Sequence, residues 1–361
     1  MTSEMERVDK HRGQVDTRSG PASYVDTGGA GRPVLFVHGV GSSSYLWRHV
    51  IELLEGQRRC VAVDLPLHGH TPAAADQDFT LPGLARFVAD CCDALELTDI
   101  DLVANDTGGA VSQVFAASHA ERLHTLTLTN CEAHDNMPPK ALLPAVLLAR
   151  MGLYARLAPR LARNVTRARK RIYGTVYQDI ANLPEDIARV WLEAQSGTAE
   201  AARQSQRLLT SLHARDLLAI EPALARLQVP TLIVWGTSDV FFRRKWAYWL
   251  RDTIPGATEV VEIDKARLFF PDERAAELTA ALRRHWDAQL VRVSSLTGTG
   301  AVPRQPCAIT SRSSVSRSSA SPLRKNSVDW IAPIAACTAS RTSPSARSGR
   351  SGASRCTHSS M

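Results

Sequence analysis

The chain has 361 residues, 44% hydrophobic and 22% charged, a globular composition with room for a sizeable buried core. Its formal charge of +7 is unevenly spread: from Val291 onward ten Lys/Arg face one acid, Asp329, so that segment carries +9 and residues 1–290 carry −2. A nearly neutral body excludes, on charge, nucleic-acid binding by the core.

The N-terminal MTSEMERVDKHRGQ is polar and lacks the apolar core of a signal peptide, and residues 1–20 are expected to be flexible. Gly28-Gly29-Ala30-Gly31 precedes a strand and reads as a hairpin turn. Short β-branched apolar runs then alternate with helical patterns, as a mostly parallel sheet with crossover helices requires. The predicted strands are Val34–His38, Cys60–Asp64, Leu102–Asp106, Leu126–Cys131, Thr231–Trp235 and Glu259–Ile263. Helical spacing marks Leu84–Leu95 and Gly109–Ser118 between them. Runs such as VLFVH and TLIVW suit strands buried on both faces.

After Cys131 the alternation stops. Residues 134–227 read as helical throughout, an insertion placed to cover the carboxyl edge of the sheet, where ligands bind in open α/β folds. Its longest apolar stretch, ALLPAVLLARMGLYARLAP, is broken by Arg150 and Arg156, so neither a membrane span nor a membrane partner is expected. A basic run, Arg163, Arg167, Arg169, Lys170 and Arg171, reads as a solvated face or as an attractor of anionic substrate. The core is expected over 21–133 and 228–290. From 291 to 361 a Ser/Arg-rich composition without hydrophobic periodicity predicts disorder.

Seven cysteines show no metal-ligand spacing, and Cys91 and Cys92 read as buried thiols. With no metal cluster, phosphate loop or nucleotide fingerprint, a cytoplasmic, cofactor-free protein acting on a small molecule is expected.

Chemistry concentrates at Ala104-Asn105-Asp106-Thr107-Gly108-Gly109, which follows a strand and opens a helix. This is the setting of a nucleophile elbow, with an aspartate in the nucleophile's place. Together with His38-Gly39-Val40-Gly41, Asp64-Leu65-Pro66-Leu67-His68-Gly69, Trp235-Gly236-Thr237-Ser238-Asp239 and Phe270-Pro271-Asp272-Glu273-Arg274, the motif makes residues 23–286 resemble the α/β-hydrolase superfamily. The aspartate is similar to that of its haloalkane dehalogenase and epoxide hydrolase branch. The resemblance implies an α/β-hydrolase fold with 134–227 as a helical cap. It also implies Asp106 as nucleophile, Asp239 as the acid that orients a base, and the N–H groups of Val40 and Thr107 as an oxyanion hole. A carboxylate attacks an sp3 carbon without prior deprotonation, leaving an alkyl ester that activated water hydrolyses.

The sequence departs from that pattern at the base. Where the family places a histidine before the last helix stands Leu268, in Ala266-Arg267-Leu268-Phe269-Phe270. His134, after the sixth strand, is the substitute to test; His38, His68 and His70 read as turn residues. Asn105, Trp47 and Asn130 are candidate pocket donors, and Tyr173 and Tyr177, four apart, are candidate cap tyrosines for an opening epoxide. Three readings stay open: an ester-forming hydrolase, a ligand-binding relative that has lost catalysis, and a cofactor-free lyase in which Asp106 is a base.

Overall fold

The structure, a computed structural model, describes residues 3–296. Eight strands among them form one sheet: β1 (Arg12–Thr17), β2 (Gly20–Asp26), β3 (Pro33–Val37), β4 (Arg59–Val63), β5 (Ile100–Asn105), β6 (Leu123–Thr129), β7 (Thr231–Gly236) and β8 (Ala257–Ile263). Their order is β1-β2-β4-β3-β5-β6-β7-β8. β1, β2 and β4 pair antiparallel, and every other pair is parallel. β5 and β7 are buried along their whole length, which is why their sequences carry apolar residues without alternation.

Helices α1 (Glu4–Asp9), α2 (Arg48–Leu54), α3 (Leu81–Ala94) and α4 (Thr107–Ser118) belong to the first half of the core. α3 shows how the pattern works: Thr80 caps it by accepting from the Gly83 N–H at 3.1 Å, and Leu84, Phe87, Val88 and Cys91 bury one face. The insertion after β6 is indeed helical. It comprises α5 (Leu143–Arg150), α6 (Tyr154–Ala162), α7 (Val165–Ala168), α8 (Glu185–Ser196), α9 (Ala199–Ser211) and α10 (Ala214–Leu224), with a π-helical turn at Arg169–Tyr173. The chain returns to the core through β7, α11 (Lys245–Thr253), β8, α12 (Phe270–Glu273) and α13 (Ala275–Leu296).

Three expectations change. Residues 1–20 are not a loose leader from Ser3 onward: α1 and β1 are formed, and the cause is a buried ion pair. Arg12 of β1 donates to the fully buried Asp64 at 3.1 Å and to Asp9 at 2.7 Å, and its guanidinium lies 4.8 Å from the Tyr45 ring centroid. Gly28–Gly31 joins β2 to β3 but is no hairpin, because β4 lies between those strands. α13 continues to Leu296, six residues past the expected core boundary. The disorder expected for the basic tail falls almost wholly outside the described residues.

Cys60, Cys91, Cys92 and Cys131 are free and buried, as thiols packed in a core should be.

Candidate active site

Because β3, β5, β6 and β7 run parallel, their carboxyl ends deliver four loops to one edge of the sheet. β5 ends in Asn105, and Asp106 turns the chain into α4 with φ 56° and ψ −139°. A non-glycine residue in that region is strained and persists only where its surroundings dictate it. The neighbours supply the room: a Cβ at Gly108 would strike the carbonyl oxygens of Val37 and His38, and one at Gly39 would strike the Asp106 side chain. The Asp106 N–H donates to the Asn130 carbonyl at 2.9 Å. The backbone N–H groups of Thr107 and Val40 face its carboxylate and favour the charged form.

Two further carboxylates act on Asp106. Asp239, in the loop after β7, accepts from the Phe241 N–H at 2.7 Å and from Asn130 Nδ2 at 2.6 Å. Asn130 also receives the Gly236 N–H at 2.6 Å, so its role is to hold the Asp239 loop against β6. Glu132, missed by the sequence reading, stands three residues past the end of β6 and accepts from Thr107 Oγ1 at 3.0 Å. Its Oε2 is buried without a partner. The signal was there: an acid two residues before the singled-out His134, just beyond a parallel strand that ends at the ligand-binding edge.

Burial pushes Glu132 up to about 7 and Asp239 up to about 6. Asp106 is raised well above the usual carboxylate range, first by burial and then by the charges of Glu132 and Asp239. Its charged neighbours are thus acids, and the edge holds protons near neutrality.

Leu268 lies where the missing base was placed. It is buried, and its carbonyl accepts from Asn105 Nδ2 at 3.1 Å, which ties its loop to the residue before Asp106. Asn105 Nδ2 also donates to Thr129 Oγ1 at 2.9 Å, while its Oδ1 is buried and unpartnered.

The other candidates go elsewhere. His134 is half-buried, bonded through Nδ1 to Glu221 of α10 and packed 5.1 Å from the Trp249 ring. A left-handed φ of 53° at His134 redirects the chain into the cap. Trp47 is fully buried 5.1 Å from Phe36, with its indole N–H unpartnered. Tyr177 is committed to Asp272 at 2.6 Å, beside the Arg48–Asp272 ion pair at 2.7 Å. Tyr173 packs edge-on at 5.3 Å against Trp191, and the two tyrosines share no α-helix because Tyr173 ends the π-helical turn.

The cap meets the core through side chains that sequence reasoning did not flag. Trp191 donates to Ser43 Oγ at 2.8 Å and packs 5.8 Å from Phe269, the neighbour of Leu268. Gln195 bonds His68 at 2.6 Å. His38, as expected of a turn residue, accepts the Leu65 N–H through Nε2 at 3.0 Å, leaving Nδ1 to donate to the Gly39 carbonyl.

Comparison with known proteins agrees with this architecture. The α/β hydrolase fold family profile matches residues 32–273. A haloalkane dehalogenase of Agrobacterium fabrum is 36% identical over 115 residues, 30% of this chain and 38% of that protein, so the matched stretch spans little over a third of the relative. Haloalkane dehalogenase 2 of Mycobacterium tuberculosis is 27% identical over 279 residues, 74% of this chain and 92% of its own. A solved haloalkane dehalogenase from Agrobacterium tumefaciens C58 superposes with a TM-score of 0.64 at 22% identity, covering 78% of this chain and 96% of its own length. With its profile match running from before β3 to the end of α12, this chain belongs to the α/β hydrolase family.

Proposed function

We propose that the protein is a hydrolase in which Asp106 is the nucleophile towards a small substrate carrying a carbon–halogen bond or an epoxide. One Asp106 oxygen bonds the sp3 carbon as the carbon–halogen or carbon–oxygen bond breaks and an alkyl ester forms; halide departs as the ion, whereas an opened epoxide keeps its oxygen on the neighbouring carbon of the ester as an alkoxide that takes a proton from water. The observation that carries this reading is the strained elbow, which presents a carboxylate to two backbone N–H donors. Those donors then serve the oxyanion formed when water attacks the ester carbonyl.

That water needs a proton acceptor, and Leu268 cannot be one. Glu132 is the acceptor we assign: it acts on Asp106, has an unpartnered buried oxygen and titrates at about 7. Leu268 also favours a second reading, a relative that binds or traps its ligand without release.

Intact-mass spectrometry of the protein with panels of haloalkanes and terminal epoxides separates the two. An adduct that requires Asp106, passes through in the native chain and accumulates in Glu132→Gln supports the hydrolase. An equally persistent adduct in both chains supports the trap, and product formed equally well by Asp106→Ala overturns the nucleophile. General-base removal of this kind slows the second step by roughly 10²–10⁴.

A further inference from the structure

Charge in the cap is segregated. Although residues 1–290 sum to −2, residues 136–178 hold nine Lys/Arg and no Asp/Glu. Arg169 is turned inward, donating to the carbonyls of Leu183 and Ile180. The other eight are exposed, and none joins the ion pairs formed among the described residues.

The same segment exposes large apolar side chains. α5 and α6 pack their inner faces on α9, burying Val146, Ala149 and Ala158, and the Ala155 N–H donates to Gln206 of α9 at 3.2 Å. Their outer faces carry Leu143 and Leu147, then Leu157 and Leu161, each pair four residues apart, with Met151 between the helices. Leu147, Met151 and Leu161 are 59%, 60% and 57% exposed. On α6 a stripe of Arg156, Arg160 and Arg163 runs beside the leucines. Just beyond lies an open basin lined by Asn164, Thr166, Arg167, Lys170 and Arg171.

We propose that α5, α6 and the basic turn after them dock the cap on an anionic lipid surface. Leucines and Met151 enter the acyl boundary, and the flanking cations meet lipid phosphates, for which the basin offers a seat. The helices lie on the surface rather than cross it: they are bent by 116°, and no single described helix is long and apolar enough to span. A second copy of the chain fits poorly, since a two-fold contact would bring two fields of unpaired cations together. This docking is independent of the chemistry assigned to Asp106.

The test is co-sedimentation of the full chain with phosphatidylcholine vesicles, with and without phosphatidylglycerol. The basic tail also favours anionic vesicles, so the cap is read from two double variants in the full chain, Leu147→Asp/Leu161→Asp and Arg156→Glu/Arg160→Glu. The native chain should bind only the anionic vesicles, and each variant should bind them about tenfold more weakly or worse, with an unchanged melting temperature. Equal binding by native chain and variants overturns the proposal and assigns the affinity to the tail. Failure of the native chain to bind overturns it outright, as does a variant that changes only the oligomeric mass in solution.

Discussion

At the scale of single residues the decisive feature is a buried acid surrounded by acids. On the proposed chemistry Asp106 must be ionised to attack, yet burial, Glu132 and Asp239 all favour its protonated form. Alkylation of Asp106 should therefore accelerate as pH rises above the usual carboxylate range. Glu132→Gln removes one repelling charge and should move that rise to lower pH, even as it stalls the later hydrolysis. Adduct formation rates measured by intact mass across pH 5–9 check this; a flat profile would mean that Asp106 is ionised throughout.

At the scale of elements, the N-terminal hairpin and the cap are both fastened by buried charge. Arg12 holds β1 to Asp64, which also receives the backbone N–H groups of Ser44 and His70 at 2.7 and 3.0 Å. Losing one partner of a buried pair strands the other, so Arg12→Ala should cost about 3–5 kcal/mol in urea unfolding. Arg12→Lys keeps the charge but not the fork, and should recover only part of that loss. The cap's counterpart is Arg48, which reaches Asp272, Glu4 and the Asn182 carbonyl and so joins α2, α12, α1 and the cap.

For the molecule as a whole, buried acids couple folding to pH. Glu132 titrates at about 7 when folded and near 4.5 when unfolded. Its contribution is therefore complete below the unfolded value and is lost as pH rises through 7. Asp272 and Asp239, raised by burial to about 7 and about 6, behave alike. The buried histidines pull the other way: His68 is lowered to about 3 by burial and by His38, and His38 is lowered by its own burial. Because these oppose one another, the informative quantity is the stability of the native chain minus that of Glu132→Gln. It should fall by about 2.5 kcal/mol between pH 5 and pH 8, measured by urea unfolding at both ends. No change in that difference would mean that Glu132 has an ordinary acidity in the fold.

Local chemistry decided much of this protein before any folding. All-apolar runs specified the buried parallel strands, and each expected strand lies within about three residues of β3 to β8. The small residues around Asp106 announced a tight strand-to-helix turn, since only they allow β3 and α4 to approach so closely. Leu268 at the base position was legible for the same reason, as a motif read along the chain. β1 escaped notice because its stability comes from Asp64, 52 residues away, and not from its own mixed pattern. The true surroundings of His134, Tyr173 and Tyr177 were likewise beyond the sequence, and Glu132 was legible only as an acid just past a strand, not as a neighbour of Asp106. Whether a side chain faces the sheet edge or another partner depends on backbone turns and long-range pairing, and those exist only once the tertiary structure has formed.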